Sequence, residues 1–145
     1  MRLRKVISGG QTGADRAGLE CAKAIGLETG GTAPKGYWTE TGSDLSLKDF
    51  GLTESVSVHY KPRTWANVRD ADVTLWFGKL GSPGYWCTKQ AAGNYGKLFI
   101  ENPVNLQDIS ETYEVINVAG NRASKNPDVI QLVKDAFATL GGTHA

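Results

Sequence analysis

The run Val6-Ile7-Ser8-Gly9-Gly10-Gln11-Thr12-Gly13-Ala14-Asp15-Arg16 constrains this chain most. A short apolar strand enters a turn with three glycines, and the turn opens directly into a helix. A strand followed at once by a helix begins a βα unit, whose next strand lies parallel to the first after a crossover. Glycines let backbone approach a ligand closely, and the first amides of a helix have no intrahelical acceptor. Together they predict an anion seat at the end of the strand. The spacing of Gly9, Gly10 and Gly13 is neither G-x-G-x-x-G nor the G-x-x-x-x-G-K-[ST] of a P-loop. Anion binding is therefore expected, and ATP hydrolysis by the P-loop route is not.

The rest of the chain keeps the same tempo. Hydrophobic runs predict strands over 3–7, 27–32, 72–77, 97–101 and 113–118, and helices over 14–25, 65–70, 85–92 and 106–112. A last helix is capped by Asn126, with Pro127 at its first position, a stripe of Val129, Val133, Ala136, Phe137 and Leu140, and a stop at Gly141-Gly142. Gly18 inside the first helix costs about 1 kcal/mol against alanine, so close packing on the sheet is expected there. Periodicity fails over 33–62, where a long excursion is expected with a short helix over 44–50 and a strand over 55–59. That excursion is placed to cover a cleft or reach a neighbouring subunit. Alternating strands and helices give one α/β domain over 1–145 with a mainly parallel sheet. Ligands of such sheets sit outside the carboxyl ends of the strands, so the loops after Ile7, Phe77 and Val118 are expected to converge.

Composition closes off other classes. A chain of 145 residues suits one domain with a real core. Its 16 basic and 15 acidic residues leave a formal charge of +1, which exerts no general pull on nucleic acid or anionic membrane. Cys21 and Cys87 are too few for a disulfide scaffold and too far apart for a C-x-x-C element. His59 and His144 stand alone, no Cys/His/Asp/Glu cluster has zinc spacing, and no signal peptide or membrane span fits. A soluble, cytosolic protein is the default.

Each candidate residue has a structural reading beside its functional one. Gly9, Gly10, Gln11, Thr12 and Gly13 form either a tight βα turn or a phosphate cradle in which Thr12 also caps the helix. Asp15 suits the helix dipole yet would repel a phosphate, so capping, a polar ligand edge and pairing with Arg16 all stay open. Arg16 is either a phosphate clamp or an exposed helix arginine. Arg63, Thr64 and Arg69 flank a helix start as a second anion contact or as surface charge. Gly78, Gly81, Ser82, Gly84 and Thr88 make a second, less specific glycine loop. Beyond the last strand, Asn121, Arg122, Ser124 and Lys125 offer donors, though Ser124 also competes as a cap. Trp65, Cys21 and Cys87 read as packing residues. Glu40 and Asp44 are weak acid–base or metal candidates.

Four blocks resemble the signatures of the molybdenum cofactor carrier proteins. They are Ile7-Ser8-Gly9-Gly10-Gln11-Thr12-Gly13-Ala14-Asp15, Gly30-Gly31-Thr32-Ala33-Pro34-Lys35-Gly36-Tyr37, Thr64-Trp65-Ala66-Asn67-Val68-Arg69-Asp70-Ala71-Asp72 and Asn117-Val118-Ala119-Gly120-Asn121-Arg122-Ala123-Ser124. The resemblance implies a Rossmann-like, three-layer α/β/α fold and a homo-oligomer, dimer or tetramer. It also implies a carrier that binds the molybdenum cofactor (molybdopterin), protects it and passes it to molybdoenzymes. Carried over by position, Gly9, Gly10, Thr12 and Gly13 would face the terminal phosphate, with the 78–88 loop, Asn121, Arg122 and Ser124 completing the pocket. The related phosphoribohydrolases imply the alternative, a nucleotide-binding sensor or enzyme. This chain lacks their P-G-G-x-G-T-x-x-E run, and Tyr85 brings bulk to the corresponding loop.

Overall fold

The computed structural model describes residues 1–141. The described residues contain eight strands: β1 (Lys5–Ile7), β2 (Glu28–Ala33), β3 (Trp38–Thr39), β4 (Gly42–Ser43), β5 (Leu52–Glu54), β6 (Val73–Phe77), β7 (Leu98–Glu101) and β8 (Val115–Gly120). The helices are α1 (Ala14–Ala24), α2 (Tyr60–Asp70), α3 (Pro83–Tyr95), α4 (Gln107–Thr112) and α5 (Val129–Gly141), with 3-10 turns at Lys35–Tyr37 and Leu45–Phe50. Six strands form one sheet in the order β5-β2-β1-β8-β6-β7, every neighbouring pair parallel. β3 and β4 make a separate antiparallel hairpin. The chain folds as a Rossmann-like α/β layer structure.

Side-chain alternation across the strands builds the two faces. Val73, Leu75 and Phe77 of β6, with Ile116 and Val118 of β8, pack with Ala14, Ala17 and Ala22 of α1 and the Val129–Leu140 stripe of α5. Val68 of α2 and Ala91 and Ala92 of α3 make a second core with Trp65, Tyr95 and Phe99. Gly18 serves the purpose its position predicts: a Cβ there would stand 2.8 Å from Val118.

Several boundaries differ from the sequence expectation. The excursion strand lies at Leu52–Glu54 rather than 55–59, because Leu52 is buried in the core while Ser55 turns the chain by bonding Ser57 and leaves Val56 exposed. α2 begins at Tyr60, five residues before Trp65, since Pro62 falls in the first turn where its missing N–H has no helical acceptor to lose. α3 starts at Pro83 under a Ser82 cap whose hydroxyl accepts from the Tyr85 amide. Asn126 does not cap α5 with its side chain; that amide donates to Asn121 Oδ1 at 3.1 Å, and the helix begins at Val129. Thr12 likewise caps nothing, Gly13 being the N-cap of α1. Gly142 and His144 lie outside the described residues.

Asn67 of α2 holds the sheet where a strand runs out. β1 ends at Ile7, so Thr32 of β2 has no β1 residue beside it; the Asn67 amide instead donates to the Thr32 carbonyl at 2.9 Å and accepts from its N–H at 2.8 Å. Asn67 is only 2% exposed. Its replacement by alanine orphans both backbone groups and is expected to lower stability by about 2 kcal/mol in urea titration.

Candidate functional site

β1, β8 and β6 point their carboxyl ends at one edge of the sheet, where the connections reverse direction: β1 leads outward to β2, and β6 leads outward the other way to β7. A parallel α/β sheet opens its ligand crevice at such a reversal. A cavity of about 680 Å³ lies there, within the range of small-molecule sites.

The first glycine loop forms one wall, but its amides are not free. Asp15, in the first turn of α1, is 5% exposed and turns its carboxylate back onto the loop. Its Oδ2 accepts from the Gln11 amide at 3.2 Å and from Arg63 Nη1 at 3.0 Å. Ser8 Oγ accepts from the Gly10 amide at 3.3 Å, Gln11 Oε1 from the Thr12 amide at 3.0 Å, and the Asn121 carbonyl from the Ala14 amide at 3.2 Å. The chain's own groups, with Asp15 foremost, thus take the donors that the sequence offers to a ligand anion. Burial pushes the Asp15 carboxyl above its ordinary range, against the lowering effect of Arg63 and of the Gln11 and Gly9 amides. Arg63 reaches this carboxylate across Gly9, where any Cβ would collide with the guanidinium.

The lining also carries cations. Lys79, Arg122 and Lys125 line the cavity, and none of them has an acidic partner within ion-pair distance among the described residues. Ser82, Pro83 and Gly84 bring the N-terminus of the 13-residue α3 to the same cavity. A helix N-terminus carries partial positive charge, so the two features add. Asn121 ties the loops together: its Oδ1 accepts from the Lys79 amide at 2.6 Å and its amide donates to the Lys79 carbonyl at 3.3 Å. Trp76, Leu80 and Pro83 supply apolar surface. Buried Asn67 and Asn117 close the floor, Asn117 donating to Thr74 at 3.2 Å.

Of the residues singled out from sequence, Gly9, Gln11, Asp15, Arg63, Thr64, Ser82, Gly84, Thr88, Asn121 and Arg122 line this cavity. Gly10, Thr12, Gly13, Arg16, Gly78 and Ser124 do not. Gly10 and Gly13 have φ of 79° and 85° and face other chain segments: a Cβ on Gly10 would meet Leu47 at 2.6 Å, and one on Gly13 the Asn121–Ala123 backbone. Gly78 is packed in the same way on the Asn121 side chain. Arg16 is engaged elsewhere, bonding Asp44 at 2.9 Å and Ser46 at 2.7 Å and lying 4.7 Å over the Phe50 ring. Thr12 and Ser124 both turn to Glu40. Tyr85 points away from the cavity, bonds Glu101 and packs edge-on against Trp76, Trp86 and Phe99, so its bulk does not narrow the site. Trp65 packs on Tyr95, centroids 5.8 Å apart.

Sequence reading did not single out Asn67, Asn117 or Lys79 as lining residues, although Lys79 lies in the 78–88 loop that the resemblance carried to the pocket. The signal was there for Asn117, a polar residue poorly suited to a strand yet set between Ile116 and Val118. Lys79 stands in a loop, where composition says nothing of direction.

Among curated proteins, none matches this chain. A crystal structure named "Putative molybdenum carrier protein", from Syntrophus aciditrophicus SB, is 32% identical and superposes with a TM-score of 0.81 over 95% of this chain and 94% of that one. Residues 6–140 match the model of the circularly permutated YpsA SLOG family. That match takes in every wall of the cavity, and the chain belongs to the circularly permutated YpsA SLOG family.

Proposed function

We propose that the chain is a carrier that binds a phosphate-bearing small ligand in the cavity, with the molybdenum cofactor as its cargo. The observation that supports this is the pairing of a partly apolar cavity with three lining cations that make no ion pair among the described residues and with the α3 N-terminus. A phosphate docks on Lys79, Arg122, Lys125 and the Gly84 end of α3, and a flat ring system lies along Trp76 and Leu80 toward Asn67 and Asn117. The phosphate seat is thus assigned to the second and third loops instead of the first, where the Gly10, Gln11, Thr12 and Ala14 amides are already bonded by the chain's own groups. The cargo assignment draws on the name of the similar crystal structure. Among the described residues no His/Cys/Asp/Glu cluster has the makings of a metal site, so the grip is on phosphate and ring edges. Asp15 is the cavity's one carboxylate among the described lining residues, and its pairing with Arg63 suits holding a ligand better than cleaving one. Homo-oligomers and molybdoenzyme recipients belong to the same proposal. No helix among the described residues is long and apolar enough to cross a membrane.

Calorimetric titration with isolated molybdopterin tests the reading. Lys79→Ala and Lys125→Ala are each expected to weaken binding about tenfold, the loss of one charge-assisted contact. Arg69→Ala, at the exposed far end of α2, is expected to leave it unchanged. Binding no tighter than millimolar in the unmodified protein overturns the reading.

A further inference from the structure

We propose that Glu40 is the internal occupant of a second anion seat, which an oxyanion group of the cavity ligand takes over by lifting the β3–β4 hairpin. The proposal rests on the ligand-binding reading above. Glu40 sits at the tip between Thr39 and Gly42. Its Oε2 accepts from the Thr12 hydroxyl and from the Ser124 amide at 3.2 Å, and its Oε1 accepts from the Ser124 hydroxyl. Two hydroxyls and one amide thus converge on a carboxylate from the first and third loops. That donor set serves a phosphate equally well.

Two further features mark the contact as releasable. Arg122 acts electrostatically on Glu40 and also lines the cavity, so seat and cavity share a cation. The hairpin itself is slight, two residues per strand with Trp38 56% exposed, and a ribbon that short has little stability of its own. Its tip is tied down by Glu40, including the Glu40 amide that donates to Gln11 Oε1 at 2.9 Å. Its trailing end is anchored separately, by Asp44 on Arg16. The tip can therefore leave while the base stays.

Inorganic phosphate and adenosine monophosphate serve as probes, titrated by calorimetry into wild type, Glu40→Gln, Ser124→Ala and Lys79→Ala. Hydrogen exchange of the 40–42 amides is followed alongside. Glu40→Gln is expected to bind at least about fivefold tighter, the low end of ordinary coupling between sites. Saturating wild type with either probe is expected to speed exchange of the hairpin tip. Ser124→Ala frees the hairpin but removes a donor, so it is expected to speed exchange without tightening binding. A gain with both probes assigns the seat to phosphate as such; a gain with the monophosphate alone assigns it to a ligand already held in the cavity. Equal or weaker binding by Glu40→Gln, or a hairpin whose exchange ignores saturation, overturns the proposal. If wild-type binding still falls in Lys79→Ala, the cavity reading survives that failure; if no variant binds either probe, both fall.

Discussion

Arg63→Met is expected to cost the fold about 3–5 kcal/mol, the usual result of stripping one partner from a buried ion pair. The side chains of Asp15 and Arg63 are 6% and 14% exposed, so little solvent screens the pair. Asp15 would keep the Gln11 amide but face burial without a counter-charge. Asp15→Asn in the Arg63→Met background is expected to recover about 2 kcal/mol, since a neutral amide needs no cation. The pH dependence has a definite sign. Burial raises the folded-state pKa of Asp15, and removing Arg63 takes away the largest opposing influence, raising it further. Below the unfolded-state value of about 4 both states hold the proton and the penalty vanishes. As pH rises from there to the folded pKa the native state retains a proton that the unfolded state has lost, and stability falls. Urea titrations from pH 4 to 8 are therefore expected to show Arg63→Met losing stability with rising pH more steeply than wild type. Equal slopes would mean that the pair is not coupled as its geometry indicates.

Gly13→Ala is expected to be nearly as damaging, at about 3–5 kcal/mol, from two separate causes. Gly13 has φ 85° and ψ −127°, a region essentially closed to residues with a Cβ. The added methyl would also press into the backbone of Asn121, Arg122 and Ala123, which cannot yield without moving the third loop. Gly96→Ala separates the two causes. Its φ is 65° and no atom lies within 4 Å of the Cβ position, so only the left-handed strain of about 1–2 kcal/mol is expected. The loop displacement caused by Gly13→Ala is expected to weaken ligand binding as well, because Asn121 and Arg122 move with it. Thermal melts of both variants, with a phosphate titration of whichever stays folded, check the contrast.

These two sites show where sequence reading reaches and where it stops. Strand–glycine–helix order at 6–16 placed a βα turn correctly, because glycine spacing is a local property of backbone. The same logic found the three converging loops, since a parallel sheet fixes which strand ends share an edge. It did not find that Asp15 fills the first loop. That depends on Arg63, which is 48 residues away in sequence and arrives from the other face of the sheet. Arg16 and Arg63 look alike as candidate phosphate ligands in sequence; tertiary neighbours alone sent one to Asp44 and the other to Asp15. Glu40 was equally illegible, because its partners Thr12 and Ser124 come from opposite ends of the chain. Elements with strong local signals, such as the α5 stripe, were legible nearly to the residue. In the 33–62 excursion the short helix expected over 44–50 is present as the 3-10 turn Leu45–Phe50 capped by Asp44. The strand there was misplaced, its course being set by Leu47, Phe50 and Leu52 meeting Leu19 of α1.

The place of β8 in the sheet has a consequence for how the molecule comes into being. β5, β2 and β1 form one parallel group, β6 and β7 another, and only β8 hydrogen-bonds to both. In chain order β1, β2, β5, β6 and β7 all precede β8, so the two groups cannot be joined into one sheet until β8 has been made. The crevice between β1 and β6 therefore takes shape only once residues 115–120 have paired with both groups.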